Sequence, residues 1–256
     1  MSLQFILGNS GGGKSHYLYQ QIVNESMEHP EKNYLVLVPE QFTMQTQRDL
    51  CAAHPRGGIM NIDALSFMRL AYRVFEEVGR EEQPVLDDEG KNLVIRRIAG
   101  KLEDDLKVLK GNLKYADLYS YLKKQGYISE VKSVISEFVQ YGVDFDKLDD
   151  FMEGLSQESY LYYKLQDIRK VYEGFEEYLR DRYITKEEML DVLARAVCDS
   201  ELLKGSVIAL DGFTGFTPVQ IRLISELLKV SEKVIVTVEI DRREDPFIYR
   251  HPYQLF

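Results

Sequence analysis

The string Gly8-Asn9-Ser10-Gly11-Gly12-Gly13-Lys14-Ser15 follows a short apolar run, Leu3–Leu7, and leads into a helical pattern. It matches G-x-x-x-x-G-K-[ST] at every fixed position, in the strand–loop–helix setting that gives the pattern its meaning. A chain that opens this way is constrained to an α/β fold with the loop at the end of a strand. Glycines let the backbone curl, so that successive N–H groups point inward at phosphate oxygens. The helix starting near Lys14 adds the positive end of its dipole. Lys14 is placed to reach outer phosphates, and the Ser15 hydroxyl to ligate a bridging Mg²⁺. These residues predict a site for ATP and Mg²⁺ built from Gly8, Asn9, Ser10, Gly11, Gly12, Gly13, Lys14 and Ser15.

Other short runs have the same character. Tyr34–Val38 stops at Pro39, Val207–Leu210 at Asp211 and Val234–Val238 at Glu239; Ile59–Ile62 is a fifth candidate. Near-continuous apolar runs of this length suit parallel strands buried on both faces. Helical patterns lie between them: one after Gly13, one after Asp63 with Leu65, Met68, Tyr72 and Phe75 in step, and one after Thr217-Pro218, a cap followed by a first-turn proline. The alternation predicts a doubly wound, mostly parallel sheet.

From about Pro84 to Lys204 the sequence offers no strand. Helical stripes repeat instead: Val131, Val134, Ile135 and Phe138; then Ile168, Val171, Tyr172, Phe175, Tyr178 and Leu179; then Met189, Leu190, Leu193, Ala196 and Val197. Glycines at 111, 126, 142 and 154 punctuate them. The expected organisation is discontinuous, a nucleotide-binding domain from 1–80 plus 205–256 interrupted by an all-helical subdomain at 81–204.

With 32 Lys and Arg against 42 Asp and Glu, the net charge of −10 argues against coating DNA by bulk electrostatics. Two cysteines, Cys51 and Cys198, exclude a disulfide framework or a cysteine-only metal cluster within these residues and fit a reducing cytoplasm. No apolar run approaches a membrane span. The N-terminus lacks a basic n-region, so no signal peptide is expected.

Asp211 ends the run Val207–Leu210. A carboxylate there is the usual partner for Mg²⁺ in such folds. Many motor ATPases place a glutamate directly after it to activate the attacking water, but here the next residue is Gly212 and no carboxylate follows until Glu226. No catalytic residue is assigned, and the missing base predicts nucleotide binding with slow or no turnover.

Taken together, the N-terminal phosphate loop, Val38-Pro39-Glu40-Gln41-Phe42-Thr43, and the late Asp211-Gly212-Phe213…Phe216-Thr217-Pro218-x-Gln220 resemble the B-subunit family (AddB) of AddAB helicase–nucleases. The resemblance covers essentially the whole chain and only the N-terminal part of the longer family protein. It implies the first RecA-like domain of a superfamily 1 helicase with its helical insertion, VPEQFT as the family's form of the second helicase motif, and Asp211 in the acidic motif. Family heterodimers unwind and degrade DNA ends in double-strand-break repair and recombination, pausing at a sequence called Chi. The implied partners are an AddA-like helicase/nuclease subunit and DNA. The family's nuclease carboxylates and iron–sulfur cysteines belong to the distant C-terminal part, and these 256 residues match neither. Tyr253-Gln254-Leu255-Phe256 looks like a truncation.

Two further readings stay open from the residues alone: a small-molecule kinase or other phosphotransferase, and a scaffold that keeps the loop as a relic. VPEQFT has no role in a kinase, and 81–204 is much larger than a kinase lid. The chain has 17 Tyr, eleven of them between 115 and 183. Tyr160, Tyr162 and Tyr163 beside Lys164 are candidates for base stacking, while Tyr172 and Tyr178 fit a core stripe. Lys123-Lys124 and Arg96-Arg97 read as solvated pairs. Asp87-Asp88-Glu89 reads as a helix N-terminus rather than a metal site, and His16 as a structural residue of the first turn after the loop.

Overall fold

The computed structural model describes residues 2–79, 84–102, 104–109, 125–180 and 182–240. In chain order its elements are β1 (Ser2–Gly8), α1 (Lys14–Glu28), β2 (Tyr34–Leu37), α2 (Thr43–Ala53), β3 (Ile62–Leu65), α3 (Phe67–Val78), β4 (Val85–Leu86), α4 (Asp88–Lys101), α5 (Gln125–Tyr141), α6 (Phe145–Glu153), α7 (Tyr160–Leu179), β5 (Ile184–Thr185), α8 (Lys186–Ala196), β6 (Val207–Leu210), α9 (Pro218–Val230) and β7 (Lys233–Glu239). Two compact units divide the chain: Met1–Glu81 with Leu190–Phe256, and Glu82–Met189.

The first unit is built on a five-stranded sheet in the order β1-β7-β6-β2-β3, with every pairing parallel. Leu65 pairs with Leu37, Leu37 with Leu210 and Leu210 with Val236, so β3, β2 and β6 finish at one level, while β7 and β1 run on to the pair Glu239 and Gly8. Strands β2 and β6 are buried at every position and β7 along its middle, as parallel strands covered on both faces must be. On one face Val36, Ala209 and Ile235 pack with Leu18, Ile22 and Val23 of α1 and Leu50 of α2. Helix α9 starts where its sequence dictates. The Thr217 side chain accepts from Gln220 N–H, the Gln220 side chain accepts from Thr217 N–H, and Pro218 fills the first helical position.

The third strand lies at Ile62–Leu65 rather than Ile59–Ile62. Gly57 has a positive φ and Met60 is fully exposed, so that stretch is loop; the pairing begins only at Ile62. Leu65 is therefore strand, and α3 is capped by Ser66. The helix buries Phe67, Leu70, Ala71, Val74 and Phe75 and leaves Tyr72 exposed.

The second unit corrects the all-helical expectation. Val85 and Leu86 of β4 pair in parallel with Ile184 and Thr185 of β5. Two residues per strand are too few to show a period of 2, which is why the sequence hides them. Asp87 then caps α4 by accepting from Gly90 N–H, as the acidic triplet predicted. The core joins Ile95 and Ile98 of α4, Val131 and Ile135 of α5, and Ile168, Val171, Tyr172 and Phe175 of α7. Tyr178 is only half-buried. Asp167 is fully buried, and its carboxylate accepts from the backbone N–H groups of Lys107, Val108 and Leu109. It holds that turn in place through three backbone donors.

Lys123-Lys124, Gly111 and Tyr253–Phe256 lie outside the described residues. Among the described residues no helix is long and apolar enough to cross a membrane.

Candidate functional site

In an open parallel sheet, ligands bind outside the carboxyl ends of the strands. There β1 runs into the Gly8–Ser15 loop. Gly11 and Gly13 have φ of 70° and 80°, conformations that L side chains rarely adopt. Gly12 is required for space: a Cβ on it would meet Asn9 O at 2.9 Å, across the Gly12 N–H to Asn9 O turn bond. Gly13 offers α1 no side-chain cap and the first turn holds no acid, whereas side chains cap α3, α4, α6, α7 and α9. The first N–H groups of α1 keep their donor capacity for an outside acceptor. Lys14 folds back along the loop, its Nζ 2.8 Å from Asn9 O, and remains at the surface.

Asp211 follows β6 directly and is 4% exposed. Its Oδ1 accepts from Ser15 Oγ at 3.1 Å and from Thr237 Oγ1 at 2.7 Å; its Oδ2 accepts from the Tyr19 hydroxyl at 2.7 Å. Its own N–H donates to Leu37 O. The fold thus brings Ser15 and Asp211 into direct contact. Because the Ser15 proton points to Asp211, only lone pairs of Oγ are left to face a cation. A hydroxyl and a carboxylate side by side at the mouth of a phosphate loop suit a Mg²⁺ whose other ligands come from phosphate and water. Among the described residues no cluster of three or more His, Cys, Asp or Glu is arranged to hold a metal by itself.

Gly212 has φ of 74°. A Cβ there would find room, 3.7 Å from Pro39 Cδ and 3.9 Å from Phe42 Cδ2, so the backbone conformation rather than crowding favours glycine. The residue that lacks a base is the one that turns the chain away from β6. His16 is exposed on α1.

The same end of the sheet carries aromatic rings that sequence reasoning did not single out. The Phe67 and Phe213 rings lie 5.4 Å apart, and Phe213 and Phe216 5.1 Å apart. Phe42 is 47% exposed in the 3₁₀ turn Glu40–Phe42. The Glu40 carboxylate accepts from Ser66 Oγ, and Arg69 lies 4.0 Å from it, more than half exposed. The available signal was three Phe in the two strings already noted and one at the start of α3. By contrast, Tyr160 is exposed, while Tyr162 meets Tyr163 edge-on and the cation over the Tyr163 ring is Lys107, not Lys164. Arg97 lies 5.9 Å from the Tyr178 ring centre, a cation–π contact rather than simple solvation.

Against known proteins, the family described as "ADDB, N-terminal" matches residues 5–256, and the chain belongs to that family. It is 45% identical over 244 residues to the B subunit of an ATP-dependent helicase/deoxyribonuclease from Lachnoclostridium phytofermentans, covering 95% of this chain and 20% of that protein. Proteins of the same description from Ruminiclostridium cellulolyticum and Clostridium tetani are each 34% identical, over 94% and 93% of this chain and 20% of theirs. The chain thus spans about one fifth of the length of these relatives.

Proposed function

We propose that the chain is the nucleotide- and DNA-binding N-terminal segment of the B subunit of an ATP-dependent helicase/deoxyribonuclease, with a RecA-like domain whose motor chemistry is degenerate. The observation that carries the reading is the contact between Ser15 and Asp211 beneath an uncapped, glycine-shaped loop. Backbone N–H groups of Gly8–Ser15 and the Lys14 ammonium hold the phosphates of ATP or ADP. Ser15 and Asp211 hold Mg²⁺, which neutralises phosphate charge when bound. The domain consists of 1–80 with 205–256, and 81–204 is its insertion.

Turnover is slow because Gly212 offers no group to polarise water. Nucleotide then serves as a structural or regulatory ligand of this segment, and an AddA-like partner supplies the driving motor. The half-buried Phe213 and Phe216 rings, resting on the buried Phe67, are a platform for unpaired bases at the strand ends. Such a platform suits a protein that reads DNA, including Chi, during double-strand-break repair in the cytoplasm. The family's nuclease and iron–sulfur chemistry lie in the remaining four fifths of the longer protein.

Steady-state ATPase with a single-stranded DNA titration, run beside ADP calorimetry, tests the reading. Binding with background hydrolysis at all DNA concentrations is expected. A DNA-stimulated rate of a few per second would overturn the degenerate motor, since a transition-state charge contact is worth ~10³–10⁵ in rate. Absence of binding would leave the scaffold reading, and DNA-independent transfer to a small acceptor would favour the kinase.

A further inference from the structure

We propose that Tyr19 is a positioning residue for the metal–nucleotide site: its hydroxyl holds Asp211 in the orientation that presents Oδ1 to Ser15, and it ties that carboxylate to α2. The inference rests on the nucleotide-binding reading above and deepens it.

Ser15 and Tyr19 are four residues apart on α1, so they share one face of the helix, one turn above the other. From that face both reach the same carboxylate, Ser15 at Oδ1 and Tyr19 at Oδ2. The Tyr19 ring is fixed by its surroundings: 7% exposed, it packs in the cluster that contains Leu18, Ile22, Val36, Leu50 and Ile235. A ring so enclosed places its hydroxyl without rotamer choice.

The direction of each proton follows from chemistry. An ionised carboxylate only accepts, so the single Tyr19 proton goes to Asp211. The Thr46 hydroxyl, 3.3 Å from the Tyr19 oxygen, must then be the donor in that pair. Thr46 is a buried residue of α2, the helix that begins at Thr43 directly after the 3₁₀ turn Glu40–Phe42. A chain of hydroxyls therefore runs from α2 through Tyr19 to Asp211, where Ser15 and Thr237 complete the set. Phenylalanine would fill the same core volume, so the hydroxyl is the part of Tyr19 that the packing does not need.

The test is calorimetric titration of the chain with ADP, in Mg²⁺ or in EDTA, for wild type, Tyr19→Phe, Asp211→Asn and the double variant. Tyr19→Phe should keep the metal-free affinity and lose about fivefold of the Mg²⁺-dependent gain, the scale of one ordinary net hydrogen bond. In the Asp211→Asn background it should remove nothing more. A full Mg²⁺ gain in Tyr19→Phe, or equal losses with and without metal, overturns the positioning role while leaving nucleotide binding intact. No ADP binding by the wild type overturns both. If circular dichroism shows that Tyr19→Phe does not fold, Thr46→Val carries the test. A smaller loss confined to the Mg²⁺ gain supports the chain of hydroxyls, and an unchanged gain refutes it.

Discussion

Ser15 and Asp211 lie 196 residues apart in the sequence and 3.1 Å apart in space. Their contact depends on strand order: β7 separates β1 from β6, and Ser15 reaches over it from the first turn of α1. Thr237 of that intervening strand donates to the same carboxylate oxygen. A carboxylate held this way is preorganised, because its donors are in place before any ligand arrives.

Lys14→Ala removes the only side-chain cation of the loop. ADP affinity should fall by ~1.5–3 kcal/mol, the worth of a hydrogen bond to a charged group. Calorimetry giving equal affinities for variant and parent would exclude Lys14 from the site.

Gly212→Glu supplies the carboxylate that motor ATPases carry, but in a left-handed backbone position. It should destabilise the fold by roughly 1–2 kcal/mol and leave ATPase at background. A urea midpoint equal to wild type, together with a gain in hydrolysis, would contradict both halves.

Glu176 on α7 gives a pH signature. Burial, followed by the neighbouring Glu188, raises its carboxyl pKa in the folded state, with Arg180 opposing. The folded chain then binds the proton more tightly than the unfolded one. The resulting stability is present below the unfolded pKa and is lost as pH rises through the raised folded pKa. Glu176→Gln cannot ionise, so it should be more stable than wild type at pH 7, with the difference shrinking toward pH 4. Urea melts at the two pH values check the sign, and an opposite trend would be decisive against it.

Phe213→Ala should weaken single-stranded oligonucleotide binding by ~1–3 kcal/mol, the worth of one stacked base. Tyr160→Ala, in the second unit, should leave it unchanged. Fluorescence anisotropy that ranked the two the other way would move the platform to α7.

What the sequence revealed, and what it hid, divides along physical lines. Apolar runs exposed β2, β6 and β7 because strands buried on both faces need no alternation; β1 was legible from the same kind of run, although as an edge strand it leaves Leu3, Phe5 and Leu7 exposed. Strand β3 slipped by three residues because Asp63 interrupts its apolar run and pairs at the surface with Arg73. Local chemistry read correctly at Thr217 and Asp87, where a cap and its partner are three residues apart. The loop and Asp211 were visible as types in context. Tyr19, Thr46 and Thr237 were not: the hydroxyl partners here are 192, 27 and 26 residues apart and leave no local pattern. Only the four-residue spacing of Tyr19 from Ser15 hinted that it shares the loop's face. Gly212 was read as a missing base, and the structure adds that the turn itself calls for glycine.

The order β1-β7-β6-β2-β3 also governs when this protein acquires its sheet during synthesis. The first three strands are made by Leu65, yet β1 has no early strand beside it; its neighbour is β7, which ends at Glu239. A ribosome adding ~5–20 residues per second leaves β1 without its ladder partner for roughly twelve to forty-five seconds. Through that interval the nascent chain holds Leu3–Leu7 without the strand that satisfies its backbone, while helices α4 to α8, built on local contacts, can form first. A chaperone that binds extended apolar segments would find its target in Leu3–Leu7, and would have to release it as β7 emerges.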